Sequence, residues 1–191
     1  MRHMRVIAGD FKGRRLQSVP NKLTRPTSDK VKESLFNRIG PFFDGGLGLD
    51  LFAGSGNLGI EALSRGLDRV IFVDQQKLAI QVIKQNLKQL NIDRQAEVYH
   101  NDAFRALKAV AKRELVFQYI FLDPPYQKVS YQKLLLEISK YPITDHSTLI
   151  ICEHDLNNVL PETLACFKQF RSERYGATTA ITVYRSVTGG L

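Results

Sequence analysis

The amino-acid sequence predicts an α/β fold in which a mostly parallel sheet of seven strands is covered by helices on both faces. The main observation is that short apolar segments alternate with amphipathic helical segments, because parallel strands need helical crossovers between them. A second observation is a pair of strand-like segments around Gly176, which predicts a C-terminal hairpin with one antiparallel strand. The length of 191 residues accommodates one such domain and a small appendage.

The first 40 residues are predicted to form a small basic β-hairpin followed by a helix. Strands are expected at 5–9 and 13–19 around a glycine-containing turn, and Ser28 or Asp29 is the expected N-cap of the helix. This segment holds ten Lys or Arg against three Asp or Glu, which accounts for +7 of the net charge of +8. The concentration of charge indicates a surface for a polyanion, although a solvated basic face that binds nothing explains the charge alone equally well.

The remaining elements alternate after Gly40–Pro41, which is expected to end the first helix. Apolar segments predict strands at 47–52, 69–73, 97–100, 118–122 and 148–152, and the C-terminal hairpin joins 169–175 to 179–184. Recurrence of apolar residues at three and four positions predicts helices at 57–65, 76–90, 103–112, 131–139 and 161–167.

The sequence excludes a helical membrane span. The longest stretches without a charged side chain, 51–60 and 175–184, reach 10 residues, whereas a spanning helix needs about 20. The first residues lack the apolar segment of a secretory signal, so we expect a cytoplasmic protein.

A metal site is not expected. Cys152 and Cys166 lie in apolar surroundings at a spacing that favours reduced, buried thiols over a disulfide or a metal pair. His100, His146 and His154 are scattered, and no pair has the spacing of metal ligands.

In open α/β sheets, ligands bind beyond the carboxyl ends of the strands. The first such end runs from Asp50 to Gly56, where Gly54 and Gly56 allow a ligand close to the main chain, next to a helix N-terminus. Gly54, Gly56 and Gly59 satisfy G-x-G-x-x-G, and Asp74 follows 20 positions after Gly54. This is the pattern of a dinucleotide site with a carboxylate for the ribose.

A nicotinamide or flavin dinucleotide is therefore one candidate ligand. Two features weigh against it: more than 40 residues precede the glycines, and Asp50 would bring negative charge near a pyrophosphate. The same carboxylate suits the ammonium group of S-adenosylmethionine. This cofactor carries no phosphate, and Asp74 could bind its ribose hydroxyls.

The third and fourth strands also end in polar residues. Asp102 could accept a hydrogen bond from an adenine amine, or could simply cap the helix that begins at Ala103. The fourth strand ends in Asp123-Pro124-Pro125-Tyr126, whose prolines leave the Asp123 carboxylate and the Pro124 carbonyl as rigid acceptors. Tyr126 adds a surface on which a base can stack, so this corner suits an exocyclic amine. A proline-rich turn with a packed tyrosine is the alternative.

Taken together, the strand ends resemble the Rossmann-like class I methyltransferases that methylate amines with S-adenosylmethionine. The resemblance rests on Asp50 to Gly56, Asp74, Asp102 and Asp123 to Tyr126, in that order and spacing. Asp74 departs from the pattern, because a longer Glu commonly grips both ribose hydroxyls in such enzymes.

With Arg25-Pro26-Thr27, the segment Lys32 to Phe36 and the basic hairpin added, nearly the whole chain from Met4 to Tyr184 resembles the bacterial RsmD family. That family methylates guanine N2 in 16S ribosomal RNA. The resemblance implies a cofactor, S-adenosyl-L-methionine, and a partner, ribosomal RNA or the small ribosomal subunit. It further implies a monomer in which residues 1–40 form an RNA-binding appendage and 41–191 the methyltransferase domain.

The site residues that follow fall into three groups. The expected catalytic residues are Asp123, Pro124 and Tyr126. The expected cofactor-binding residues are Thr27, Asp50, Phe52, Gly54, Ser55, Gly56, Asp74, Asp102 and Ala103. The cations expected to hold RNA phosphates are Arg5, Lys12, Arg14, Arg15 and Arg25.

This interpretation requires the glycine bend after Asp50 and the proline corner at Asp123 to face each other across one crevice. The alternatives are an NAD(P)-dependent oxidoreductase, an adenine-N6 nucleic-acid methyltransferase and an RNA-binding module without activity.

Overall fold

A computed structural model describes residues 4–20, 28–125 and 129–187. Three of the predicted site residues, Arg25, Thr27 and Tyr126, lie outside these ranges. In chain order the strands and helices are β1 (Met4–Arg5), β2 (Arg15–Leu16), α1 (Asp29–Ile39), β3 (Leu47–Asp50), α2 (Asn57–Ser64), β4 (Arg69–Asp74), α3 (Lys77–Leu90), β5 (Ala96–His100), α4 (Ala103–Ala111), β6 (Tyr119–Leu122), α5 (Tyr131–Ile138), β7 (Leu149–Asp155), β8 (Thr163–Leu164), β9 (Phe167–Tyr175) and β10 (Thr179–Ser186).

The main sheet has eight strands in the order β5-β4-β3-β6-β7-β10-β9-β8. Strands β3 to β7 pair in parallel, and β10 runs antiparallel to both β7 and β9. The predicted fold class is confirmed, and the two-residue strand β8 is added at the edge. The chain moves outward from β3 to β5 and then returns to place β6 beside β3, so the topological switch point lies between β3 and β6.

The prediction of a helix at 161–167 is wrong. Leu164 instead pairs with Phe167 in the antiparallel contact between β8 and β9, and Ala165 in the turn between them has a left-handed φ of 52°. The spacing of Leu160, Leu164 and Phe167 is compatible with a helix. Tertiary context decides otherwise, because the edge of β9 offers backbone hydrogen bonds to a neighbouring strand.

The sheet is buried on both faces, as parallel sheets usually are. On one face, α1, α2 and α3 form a core in which Phe36, Phe72 and Phe121 are each 0% exposed. On the other face, α4 and α5 contribute Leu107 and Leu134 to a second core. Within the described ranges, no helix combines the length and the apolar character that a membrane span requires.

The basic hairpin is packed onto the first of these cores. Met4 pairs with Leu16, and both side chains are buried in the core with Val6. Gly9 has φ +82°, and a Cβ there would lie 1.7 Å from the carbonyl oxygen of Ser64. Only glycine fits this close approach of the hairpin to α2.

Candidate active site

The glycine bend follows β3 at the switch point. Gly54 has φ +55°, and a Cβ there would have nothing within 4 Å, so this part of the bend is open to a ligand. Gly56 is the N-cap of α2 in a left-handed conformation with φ 80°. A Cβ on Gly59 would lie 2.3 Å from Phe72, so Gly59 serves the packing of α2 on β4.

Asp50 lies beneath this bend and is 2% exposed. Its Oδ2 accepts a hydrogen bond of 3.3 Å from the N–H of Gly59, in the first turn of α2. Burial raises the pKa of Asp50 to about 7; hydrogen bonds from Gly59 and Phe52 oppose the rise and the charge of Asp74 adds to it. A buried carboxylate with this pKa favours a cationic ligand, because a nearby positive charge restores its ionised form.

Asp74 connects the end of β4 to the bend. Its Oδ2 accepts from the N–H of Gly54 at 2.9 Å, and its Oδ1 accepts from the N–H of Gln76 at 2.8 Å. The side chain is half-buried, and each carboxylate oxygen has a second lone pair. Asp74 therefore holds the backbone of the bend and can still accept a hydrogen bond from a hydroxyl of a ligand.

Asp102 follows the neighbouring strand β5 and is exposed. Its Oδ1 accepts from the N–H groups of Phe104 and Arg105 at 3.0 and 3.2 Å, so the residue is the N-cap of α4. Ala103 is buried in the first turn of that helix. The capping interpretation of Asp102 is confirmed, and a ligand contact by its Oδ2 stays a prediction.

The proline corner follows β6, next to the bend. Asp50 on β3 pairs in register with Phe121 on β6, so Asp123 lies just beyond Asp50 on the adjacent strand. Burial raises the pKa of Asp123, and the charges of Glu153 and Asp50 raise it further. Pro124 is buried. The two bends that the sequence interpretation requires together thus end adjacent strands at the switch point.

Glu153 is a site residue that the sequence reasoning missed. Leu122 pairs with Cys152, which places Glu153 level with Asp123 on the adjacent strand β7. Its side chain is 7% exposed. The signal was available, because Glu153 directly follows the predicted strand 148–152 and strand ends were the positions of interest.

A buried ionic cluster, also missed, joins the basic hairpin to the helices. Lys32 Nζ lies 3.1 Å from Glu61 Oε2, and Arg65 Nε lies 2.8 Å from Glu61 Oε1. Glu61 also accepts from the N–H groups of Ile7 and Ala8 at 2.9 and 3.0 Å. Burial lowers the pKa of Lys32, and the charge of Glu61 opposes this.

Asn86 makes a second connection between the hairpin segment and the glycine bend. Its amide exchanges hydrogen bonds of 2.8 and 3.0 Å with the backbone of Gln17 and donates a third, of 2.9 Å, to the carbonyl of Ser55. Ser55 Oγ also donates to Met4 Sδ at 3.4 Å. The hairpin is therefore fixed beside the bend.

The remaining predicted site residues occupy accessible positions. The four described cations of the hairpin are exposed, namely Arg5, Lys12, Arg14 and Arg15. Phe52 in the bend is half-buried against the second core. Among the residues that the structure describes, no group of three or more His, Cys, Asp or Glu could hold a metal ion.

Comparison with known proteins matches nearly the whole chain to one protein family. The family model described as Conserved hypothetical protein 95 matches residues 4–185. A Bacillus subtilis protein named as a candidate rRNA methyltransferase, YlbH, is 54% identical over 182 residues, covering 95% of this chain and 98% of that protein.

Two further relatives cover nearly the full chain. The Haemophilus influenzae protein named ribosomal RNA small subunit methyltransferase D is 34% identical over 185 residues, covering 95% of this chain and 92% of its own. The solved structure of yhhF from Escherichia coli, named as a candidate methyltransferase, superposes with a TM-score of 0.83 at 30% identity, covering 97% of this chain and 99% of that one. The chain therefore belongs to the family described as Conserved hypothetical protein 95, the RsmD family that its motifs indicated.

Proposed function

We propose that this chain transfers the methyl group of S-adenosyl-L-methionine to the exocyclic N2 amine of a guanine in 16S ribosomal RNA. The observation that carries the proposal is the pairing of β3 with β6 at the switch point. Through this pairing, the glycine bend above the buried Asp50 and the proline corner at Asp123 and Pro124 end adjacent strands, which supports a shared site. Methyltransferase relatives that cover more than nine-tenths of the chain support the reaction class.

The residues of the bend fit this cofactor better than a dinucleotide. In dinucleotide sites the helix N-terminus receives the pyrophosphate. Here the N–H of Gly59 in the first turn of α2 already donates to the buried Asp50, so a second anion would meet a negative charge. An ammonium group is favoured at the same place, and Asp74 is left to bind ribose hydroxyls.

The reaction needs positioning more than proton chemistry. When bound, S-adenosylmethionine supplies an electrophilic methyl group on a sulfonium. The Asp123 carboxylate and the Pro124 carbonyl would each accept a hydrogen bond from one N–H group of the amine and so direct its nitrogen at that methyl group. Orientation of this kind can lower a barrier by on the order of 7–11 kcal/mol.

Asp123 can also take the proton that the nitrogen loses on methylation. Its pKa is raised by burial and by the charges of Glu153 and Asp50, which makes the carboxylate more basic than a surface aspartate. The nitrogen becomes acidic once it has attacked, so a stronger base is not required.

Guanine is the proposed base because its edge offers N1–H and N2–H as adjacent donors, which one carboxylate can accept together. Adenine presents an N1 acceptor to the same carboxylate. The chemistry alone favours guanine modestly, and the name of the Haemophilus influenzae relative, a ribosomal RNA small subunit methyltransferase, supports the small-subunit RNA. The target base has to be unstacked to enter such a corner, which RNA loops permit at low energetic cost.

The basic hairpin is the proposed RNA-binding appendage. Its exposed cations lie on a backbone that Glu61 and Asn86 fix beside the glycine bend. They would hold phosphates and set the register without reading sequence. We propose the same role for Arg25, which lies outside the described residues, and a monomer that acts in the cytoplasm on the RNA or the small subunit.

The test is methylation of small ribosomal subunits that lack the modification, with labelled S-adenosylmethionine, followed by mapping of the labelled nucleotide. We expect N2-methylguanosine in 16S RNA. Label on adenine N6, or no label on either naked RNA or subunits, would overturn the proposal. Calorimetry with S-adenosylhomocysteine and with NAD tests the oxidoreductase alternative directly, because only the former should bind.

A further inference from the structure

A second basic surface lies on the C-terminal hairpin, outside the site described above. We call it the C-terminal basic patch, and it consists of Arg38, Lys168, Phe170, Arg171 and Arg185. Phe170 is 47% exposed. It is the extra residue where the register between β9 and β10 shifts, since Val183 pairs with Arg171 and Tyr184 with Gln169. The bulge presents an aromatic ring to solvent.

Cations surround this ring. The guanidinium carbon of Arg185 lies 4.3 Å from the ring centroid of Phe170, and that of Arg171 lies 5.8 Å away. Glu173 pairs with Arg38 and, at 3.9 Å, with Arg171. One carboxylate thus pairs with two of the four cations of the patch, and Arg185 adds a positive charge beside the exposed aromatic ring.

The fold, not the sequence, creates this concentration of charge. Residues 41–191 are nearly neutral, with 17 basic and 16 acidic side chains. Arg38 reaches the patch from α1, which packs across β9, as shown by the contact of 3.2 Å between Ser34 Oγ and the Tyr175 hydroxyl.

The patch and the basic hairpin lie on the same face of the sheet. Ile181 and Val183 of β10 belong to the core that also buries Met4 and Leu16 of the hairpin. Alternation along β10 puts Arg185 on the face of Ile181 and Val183. At the other end of α1, Arg5 of the hairpin pairs with Asp29 at 3.0 Å, so α1 connects the two basic surfaces.

We infer that the substrate RNA continues from the basic hairpin across α1 and docks its backbone on the C-terminal basic patch, where an unpaired base stacks on Phe170. This inference rests on the proposed function, because it assigns a further contact to the same RNA. Arg185 pairs with Leu149 at the start of β7, whereas Asp123 lies level with Glu153, toward the other end of that strand. The patch therefore contacts RNA that flanks the target base. Basic grooves with stacking platforms bind single-stranded RNA in this way.

The test is the double variant Arg171→Gln with Arg185→Gln, which keeps polar side chains at both positions but removes their charges. Binding of an unmodified 16S RNA transcript is measured from 50 to 300 mM salt. Each lost phosphate contact reduces the steepness of the fall of log K with log salt by roughly 0.7–0.9. For two lost contacts we therefore expect the slope to become shallower by about 1.5. For methylation of small subunits, KM should rise while kcat and the affinity for S-adenosylhomocysteine stay unchanged.

A matched control removes two exposed charges from the opposite face, with Lys108→Gln and Lys112→Gln on and just after α4. It should leave the slope unchanged. A further variant, Phe170→Leu, keeps an apolar side chain, and we expect it to weaken binding about fivefold or more with little change in slope, because it removes only stacking. Thermal unfolding checks that each variant is folded.

The outcomes separate this inference from the proposed function. If the folded double variant keeps the salt slope and the affinity of the wild type, the inference that RNA docks on the patch is overturned, whatever the methylation assay shows. Normal binding of the transcript with impaired methylation of subunits also overturns it, because the patch would then contact a ribosomal protein. A wild-type chain that binds through the patch but methylates no RNA would instead refute the proposed function alone.

Discussion

Asp50 should make cofactor binding depend on pH in a way that reports its burial. The carboxylate has to be ionised to accept an ammonium group, and its pKa in the free protein is about 7. The folded protein therefore loses affinity as the pH falls below that value, about tenfold per unit. At pH 5.5 we expect binding about 30-fold weaker than with Asp50 fully ionised, a loss of ~2 kcal/mol. An ordinary surface aspartate, with a pKa of about 3.9, would give no change over this range.

The amino group of the ligand determines how affinity declines at high pH. An α-amino group titrates at about 7.7–8.0 and has to be protonated to pair with Asp50. Affinity should therefore pass through a maximum between about pH 7 and 8 and decline on both sides.

The measurement is calorimetric titration of S-adenosylhomocysteine between pH 5.5 and 9, in two buffers of different ionisation enthalpy. Near pH 7, binding should release about half a proton from Asp50, since half of the free protein is then protonated. The variant Asp50→Asn should bind weakly and lose the acid limb. Constant affinity from pH 5.5 to 7 would refute the reasoning, and an acid limb that persists in the variant would assign the titration to another group.

Three further predictions concern catalysis, stability and RNA binding. Asp123→Ala should abolish methyl transfer while S-adenosylhomocysteine binds nearly as before in calorimetry; loss of cofactor binding would mean that its role is misassigned. Glu61→Gln leaves two buried cations without their carboxylate and should lower the free energy of unfolding by about 3–5 kcal/mol in urea titrations, and a loss below about 1 kcal/mol would contradict the burial argument. Arg14→Ala with Arg15→Ala should weaken RNA binding and flatten its salt dependence by roughly 1.4–1.8 in slope, and an unchanged slope would count against the hairpin as the RNA arm.

A surface ion pair provides the control for the stability prediction. Arg5 pairs with Asp29 at 3.0 Å, and their side chains are 59% and 38% exposed. Asp29→Asn should change the free energy of unfolding by less than about 1 kcal/mol, because exposed pairs contribute little.

Much of the architecture could be predicted because its determinants are local. The strands β3 to β7 and the helices α1 to α5 follow from apolar periodicity, and the side chains of Ser28 and Asp102 cap the helices that they precede. The failure at 161–167 is informative, since Leu160, Leu164 and Phe167 fit either a helix or the hairpin that forms. A short segment can satisfy both a helical and a strand periodicity, and here pairing with the edge of β9 favours the strand.

The candidate site divides in the same way. Strand ends fall next to one another in a parallel sheet, so Asp50, Asp74 and Asp123 could be selected from their positions in the chain. Glu153 follows the same rule and was overlooked. The burial of Asp50, and with it the pKa of about 7, could not be predicted, because it depends on how α2 packs over the bend.

Local sequence patterns alone predict the order of β3 to β7 and of α1 to α5, the glycine bend, the proline corner and the basic N-terminal segment. The folded structure adds that Lys32 joins the Glu61–Arg65 pair inside the protein, and that Arg38 lies with Arg171 and Arg185 beside the exposed Phe170. Periodicity, caps and turns act over a few residues. Burial and long-range charge pairing instead join groups such as Lys32 and Glu61, 29 positions apart, or Arg38 and Glu173, 135 positions apart, which meet only when the chain folds.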